Sequence, residues 1–404
     1  MDRAMTLSTA DDTLRWRADT PGCDRVVHLN NAGAALVPQP VRDAIRAHLD
    51  LEDQIGGYEA AEAEIAPLRA TYQAVGRLLG AGHQNVALVQ NSTVAFNQAI
   101  SAFDLGPGDV ILTTRADYAS NQITYLSLAR RRGVQVVRAP DAPEGGVDPE
   151  ELRRLIARRR PALVSLTWIP TNSGLVQPAE AVGEICRDAE VPYLIDGCQA
   201  VGQMPIDVRR LHCDFLAAAC RKFLRGPRGL GFLYVSDRML QDGAHPLLVD
   251  MHGATWTEAD AFDLTPDARR FETWEFAYAL VLGLGAAARY ALDVGLDTAR
   301  DRARELAAYV RQRLETVPGV RVLDRGPELC AIATAAIAGR DSKEIKLALR
   351  ARGINTSSPH REDAVIDMDE KSASSALRIS PHYYNTKEEI DTAVGALDEL
   401  LSSP

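Results

Sequence analysis

From about residue 66 to residue 270 the chain alternates short apolar, β-rich runs with segments of helical period. The clearest runs are Val86-Ala87-Leu88-Val89, Val110-Ile111-Leu112-Thr113, Val134-Gln135-Val136-Val137, Ala162-Leu163-Val164-Ser165-Leu166, Tyr193-Leu194-Ile195-Asp196 and Gly231-Phe232-Leu233-Tyr234. Parallel neighbours cannot be joined by a tight turn; they need a crossover of a dozen or more residues, usually a helix. The alternation therefore predicts an α/β fold of βα units on a mostly parallel sheet, with ligands bound at the carboxyl ends of the strands. Crossover helices are expected over 149–159 and 178–189.

Past residue 275 the pattern changes. An apolar run, Phe276 to Leu292, and an amphipathic one, Leu296 to Val317, read as helices, and short strands then alternate with two more helices. The 404 residues exceed the roughly 250–300 at which one core stops growing. The expected division is 1–65, an N-terminal segment contributing to the small domain and the site entrance; 66–275, a large ligand-binding domain; and 276–404, a smaller α+β domain. The polar stretch Glu362 to Ser375 shows no periodicity and reads as a loop.

Charge and composition exclude several classes of function. Lysine and arginine number 45 against 55 acidic residues, a formal charge of −10, and no basic block could track a phosphate backbone, so nucleic acid is not an expected partner. Arg130-Arg131-Arg132 and Arg158-Arg159-Arg160 read as solvated helix ends, favoured there by the helix dipole. The six cysteines are scattered without a C-x-x-C pair, which fits a reducing, cytoplasmic setting, and the eight histidines show no ligand spacing, so no metal site is expected. Met1 to Gly22 lacks an apolar core, and no stretch approaches a membrane span. Gly283-Leu284-Gly285-Ala286-Ala287-Ala288 satisfies a dinucleotide-binding pattern, but it sits inside an apolar helical run rather than at a strand-to-helix turn, so close helix packing is expected.

The residues that carry chemistry lie between 193 and 231. A strand ends in Asp196, followed by Gly197-Cys198-Gln199-Ala200; after the next apolar run, Asp214 to Ala219, comes Arg221-Lys222-Phe223-Leu224-Arg225-Gly226-Pro227-Arg228-Gly229-Leu230-Gly231. An acid and a lysine at neighbouring strand ends share one site, and burial beside cations lowers the lysine pKa toward a useful base. Asn91-Ser92-Thr93 follows a strand and opens a helix, whose N-terminus is an anion site.

With these motifs the chain resembles, over nearly its whole length, the class V aminotransferase family of fold-type-I pyridoxal-phosphate enzymes. The likeness runs from His28-Leu29-Asn30-Asn31-Ala32-Gly33 to Leu377-Arg378-Ile379-Ser380-Pro381-His382-Tyr383-Tyr384-Asn385-Thr386. The resemblance implies a large domain built on a mostly parallel seven-stranded sheet, a smaller C-terminal domain, and pyridoxal 5'-phosphate as cofactor. It implies that Lys222 carries the cofactor, Asp196 pairs with its ring nitrogen, and Gln199 lies near its phenolic oxygen. Asn91, Ser92, Thr93 and Arg221 are then phosphate-side residues, Tyr118 stacks on the ring, and Asn172 or its neighbour Thr171 approaches cofactor or substrate. Arg378 becomes the carboxylate clamp, with Asn31, Ala32 and Gly33 lining the pocket. His252, Gly253, Ala254 and Thr255 lie where relatives lend a phosphate contact to a second subunit, so a homodimer with shared sites is implied. Arg270 is a further pocket candidate, with helix-start ion pairing as the alternative.

The chain departs from the cysteine desulfurases of that family. Arg221 replaces a histidine, and Tyr118, in Asp117-Tyr118-Ala119-Ser120-Asn121, replaces another. No cysteine follows Cys330, so Asn355-Thr356-Ser357-Ser358-Pro359-His360-Arg361 offers no thiol to accept sulfur. Gly56-Gly57-Tyr58-Glu59-Ala60-Ala61-Glu62 and the Lys222 segment resemble C–S lyases acting on cysteine S-conjugates, including those of ergothioneine and lincosamide biosynthesis. The expectation is β-elimination from an S-substituted cysteine, with Tyr58 a candidate substrate contact. An epimerase, an aminotransferase or a decarboxylating deaminase on the same scaffold is the alternative, as is a cofactor-binding protein without activity.

Overall fold

A computed structural model describes residues 10–402; the first nine residues of the N-terminal stretch lie outside it. Seven strands form the main sheet: β1 (Val86–Val89), β2 (Val110–Thr113), β3 (Gln135–Arg138), β4 (Leu163–Thr167), β5 (Tyr193–Asp196), β6 (Phe215–Ala219) and β7 (Gly231–Val235). Their order is β1-β7-β6-β5-β4-β2-β3. Ladders from β3 through β2, β4 and β5 to β6 are parallel, and β7 alone runs against both its neighbours. The expected α/β architecture is therefore the observed one, with β3 and β4 starting one residue later than the apolar pattern placed them.

Alternate side chains of a strand face opposite sides, and here each side has its own core. Val86 and Leu88 join one apolar cluster, Ala87 and Val89 the other. Coverage on both faces is what a parallel sheet requires, and it explains why its strands are continuously apolar rather than alternating. One cover is the helix Tyr278–Val294, packed on the helices Gln39–Ile55 and Ile65–Leu79. Its glycines serve that contact: a Cβ at Gly283 would come within 2.6 Å of Ile45, and one at Gly285 within 2.3 Å of Thr71 Oγ1. The G-x-G-x-x-A match is thus helix packing. Among the described residues no single helix is long and apolar enough to cross a membrane.

Beyond this sheet, Val320–Val322, Ala333–Ile337 and Leu377–Ile379 form an antiparallel three-stranded sheet. The helices Leu296–Glu315, Ser342–Ala351 and Lys387–Ser402 cover it, with Leu306, Val310, Leu349, Ile390 and Leu397 in its core. Val27–His28 pairs in parallel with Ile354–Asn355, which ties the N-terminal segment to this part of the molecule. The segment from 362 to 375 is not all loop: a 3-10 turn, Arg361–Asp363, precedes a helix, Val365–Glu370. That helix spans under two turns, too few for an apolar period to register. Met368, buried against Leu323 and Ala376, and the Lys371–Asp367 pair at 2.8 Å hold it.

Candidate active site

Three strand ends converge on one place. Asp196 closes β5, Lys222 follows β6, and Asn91 caps the helix Ser92–Ser101 that follows β1. Asn91 Oδ1 accepts from Val94 N at 3.0 Å, so its side chain is spent on the cap. Ser92 Oγ accepts from Cys198 Sγ at 2.8 Å. Gly231 allows the close approach behind this turn, since a Cβ there would lie 2.7 Å from Ala218 O and 2.8 Å from Ser92 N.

Lys222 is buried, with its Nζ 5.9 Å from the centre of the Tyr118 ring. Burial lowers its pKa from the ordinary lysine value, partly offset by the thiol of Cys198 and the carboxylate of Asp196. No hydrogen bond engages the amine among the described residues, which leaves it available to react. Asp196 Oδ1 accepts from Cys198 N at 3.0 Å and Oδ2 from Asn121 Nδ2 at 3.0 Å.

Arg378 anchors the opposite wall. Its Nη1 donates to Thr171 O at 2.9 Å and Thr171 Oγ1 at 2.8 Å, and its Nη2 to Asn30 Oδ1 at 3.0 Å. Burial lowers the guanidinium to about 10, so it stays charged at neutral pH. Thr171 Oγ1 also accepts from Gln199 Nε2 at 2.8 Å, and Ala32 O accepts from the same nitrogen at 3.0 Å. Thr171 is therefore the joint between Gln199 and Arg378. Asn172 points elsewhere, donating to Asp363 O at 3.1 Å and so docking the 361–363 turn.

Several other expected residues have structural partners. The Asn31 side chain bonds Ser380 O at 2.8 Å, the Tyr384 hydroxyl at 2.5 Å and Asn385 at 3.3 Å. The amide of Ala32 donates to Ser380 Oγ, and a Cβ at Gly33 would strike Asn30 Oδ1 at 2.7 Å. Arg270 is buried but donates to the carbonyls of Thr265, Leu240 and Ala244; it neither lines the pocket nor forms the ion pair, which Arg269 makes with Asp267. His252 pairs with the buried Glu272 at 3.0 Å. Thr255 lies on an exposed hairpin, Ala254–Glu258 with Ala261–Leu264, and Tyr58 is exposed near Tyr278. Neither joins the cluster within the one chain.

Sequence reasoning missed Asn30, Thr167, Asp117 and Asn121 as site residues. The last two stand in the motif around Tyr118 quoted above, but only the fold sets Asn121 on Asp196 with Asp117 behind it.

Buried atoms left without partners show what the cluster lacks. They include Gln199 Oε1, Arg221 Nη1 and Arg378 Nε. Such orphans occur elsewhere in the interior too, but three gathered around one unbonded amine are what an unfilled binding site leaves. Together with the unbonded Lys222 amine, the Asp196 carboxylate and a helix N-terminus, they fit a phosphorylated pyridine aldehyde plus a carboxylate-bearing substrate.

A sequence profile described as aminotransferase class-V matches residues 27–393. A probable cysteine desulfurase of Pyrococcus abyssi is 24% identical over 396 residues, covering 96% of this chain and 97% of its own length. A probable hercynylcysteine sulfoxide lyase of Mycobacterium tuberculosis is 29% identical over 401 residues, covering 98% of this chain and 96% of its own. Among solved structures, an apo cysteine desulfurase from Thermococcus onnurineus NA1 superposes with a TM-score of 0.88 at 22% identity, over 99% of this chain and 100% of that one.

Proposed function

The chain belongs to the aminotransferase class-V family of pyridoxal-phosphate enzymes, and from that premise we propose that it is a C–S lyase acting on an S-substituted cysteine. The observation that carries this reading is the lack of a usable sulfur acceptor. All six cysteines are buried, and none lies in the 355–361 segment. Cys198 is near Lys222, but burial pushes its thiol up to about 12 and it donates to Ser92, so it is no nucleophile at neutral pH. On this reading sulfur leaves on the substrate's own substituent, as a thiol.

Lys222 would hold the cofactor and, once free of it, would take the proton from the substrate Cα, a role that the lowering of its pKa by burial favours. Pyridoxal phosphate, when bound, supplies an electron sink for the negative charge at Cα. Asp196 would keep a proton at the ring nitrogen, while Ser92, Thr93 and the amides of the helix start would hold the phosphate. Arg378, braced by Thr171 and Asn30, would grip the substrate carboxylate with its two remaining donors, on Nε and Nη2. Overall, substrate and water give a thiol, pyruvate and ammonia. The aromatic hairpin pair Trp256 and Phe262, 79% and 55% exposed, supports a homodimer in which Thr255 reaches the other subunit's phosphate.

The test is a panel of cysteine S-conjugates given to the reconstituted protein, following thiol and pyruvate, with Lys222→Ala as control. Release of both by the parent protein and neither by the variant is expected. An intact thioether with an inverted or decarboxylated Cα would sink the lyase reading in favour of an epimerase or a deaminase.

A further inference from the structure

Behind Asp196 runs a buried polar chain that the proposed chemistry does not touch. Asp117, 8% exposed, sits just before the helix Ala119–Arg132. Its Oδ2 accepts from Thr113 Oγ1 at 3.0 Å and Gln122 Nε2 at 2.8 Å, and its Oδ1 from Thr167 Oγ1 at 2.5 Å and Tyr118 N at 2.6 Å. Asn121 Nδ2 reaches Asp117 Oδ1 at 3.2 Å and Asp196 Oδ2 at 3.0 Å, so one side-chain amide serves two buried carboxylates.

The direction of these bonds is set from outside. Arg138, on β3, donates to Gln122 Oε1 from Nε at 2.9 Å and Nη2 at 2.6 Å. A guanidinium has no acceptor, so Gln122 must present its carbonyl to Arg138 and its NH2 to Asp117. Asn121 cannot turn its oxygen toward two carboxylates without repulsion. Donors therefore surround Asp117 and oppose, without cancelling, the burial that pushes its pKa up. The other titratable or charged groups facing the pair are Lys222 and Cys198 beside Asp196, Tyr125 from the same helix, Tyr118 next in sequence, and Arg138 through Gln122.

We infer that Asp117 is a positioning residue: its negative charge, relayed through Asn121, strengthens the hold of Asp196 on a proton at the cofactor's ring nitrogen. This rests on the pyridoxal-phosphate reading of the site. A second fixed anion one amide away raises the proton affinity of whatever Asp196 faces, and the same network orients the backbone of Tyr118. The ring nitrogen thereby stays protonated through neutral pH, the state in which it accepts charge from Cα.

The experiment reconstitutes the full-length protein with pyridoxal phosphate isotopically labelled at the ring nitrogen and follows that nitrogen's NMR shift against pH. In Asp117→Asn the midpoint for losing the ring-nitrogen proton falls by about one pH unit, a tenfold change in proton affinity. Thr113→Val keeps the side chain's shape and removes one donor to Asp117, at the cost of a contact with Tyr125 as well; its midpoint falls in the same direction by less, and it decides the matter if Asp117→Asn does not fold. Either variant binding cofactor with the parent midpoint, or a lowered melting temperature with no change in midpoint, overturns the inference. A parent protein that takes up no pyridoxal phosphate instead defeats the reading of the site.

Discussion

Lys222 draws its reactivity from its surroundings. In water its ammonium would be the stable form at neutral pH; in the fold, loss of hydration outweighs the attraction of Asp196 and depresses its pKa below 10.5. The sign follows directly. In the role proposed for Lys222 the free amine is the form that reacts with the cofactor aldehyde, and it prevails above the depressed value, so the rate of reconstitution of the apo-protein is expected to rise with pH about a midpoint below 10.5. Visible absorbance growing in after mixing with pyridoxal phosphate measures this, and a midpoint at or above the free-lysine value would contradict it. The same depression means that the unfolded chain binds a proton the folded one refuses. That group's contribution to stability is full above pH 10.5 and is lost as pH falls through the folded value.

At the scale of elements, the site depends on a close approach between β7 and the helix that follows β1. Gly231 starts β7 against Ala218 on one side and the Asn91–Ser92 turn on the other, with room for hydrogen only. Gly231→Ala must push backbone against backbone, which costs about 1–3 kcal/mol as overpacking. The turn proposed to bind phosphate moves with it, so cofactor affinity is expected to fall along with the melting temperature. Equilibrium dialysis with pyridoxal phosphate beside calorimetry checks this; a variant that loses stability but keeps parent affinity would show that the turn does not hold the phosphate. The short helix Val365–Glu370 shows the opposite limit of element reading, because tertiary burial of Met368, not local pattern, makes it a helix.

For the molecule as a whole, the hairpin Ala254–Glu258 with Ala261–Leu264 is the feature that one chain does not explain. Trp256 and Phe262 pair across it in solvent, with Leu248 and Met251 exposed nearby. Its base is fixed by Glu272, which accepts from Tyr72 and Leu88 and pairs with His252. An exposed aromatic pair on so firmly fixed a base is what supports the proposed homodimer. Sedimentation should give twice the 43.9 kDa chain mass, and Trp256→Asp with Phe262→Asp should give monomers that lose cofactor faster. A parent protein that sediments as a monomer with cofactor fully bound would refute the shared site.

Local pattern was enough to read the sheet and to place Asp196 and Lys222 at strand ends, because apolar period and turn residues act over a few positions along the chain; Gln199 and Arg378 were singled out only by the family resemblance. The absence of a loop thiol was equally plain. What the tertiary structure alone decided is which side chains meet. Thr171 rather than Asn172 joins Gln199 to Arg378; Arg270 braces carbonyls instead of lining the pocket; and Asp117 and Asn121 stand behind Asp196. Those contacts join residues as many as 207 positions apart, where no local preference acts and only the packing of one strand end against another brings the partners within hydrogen-bonding distance.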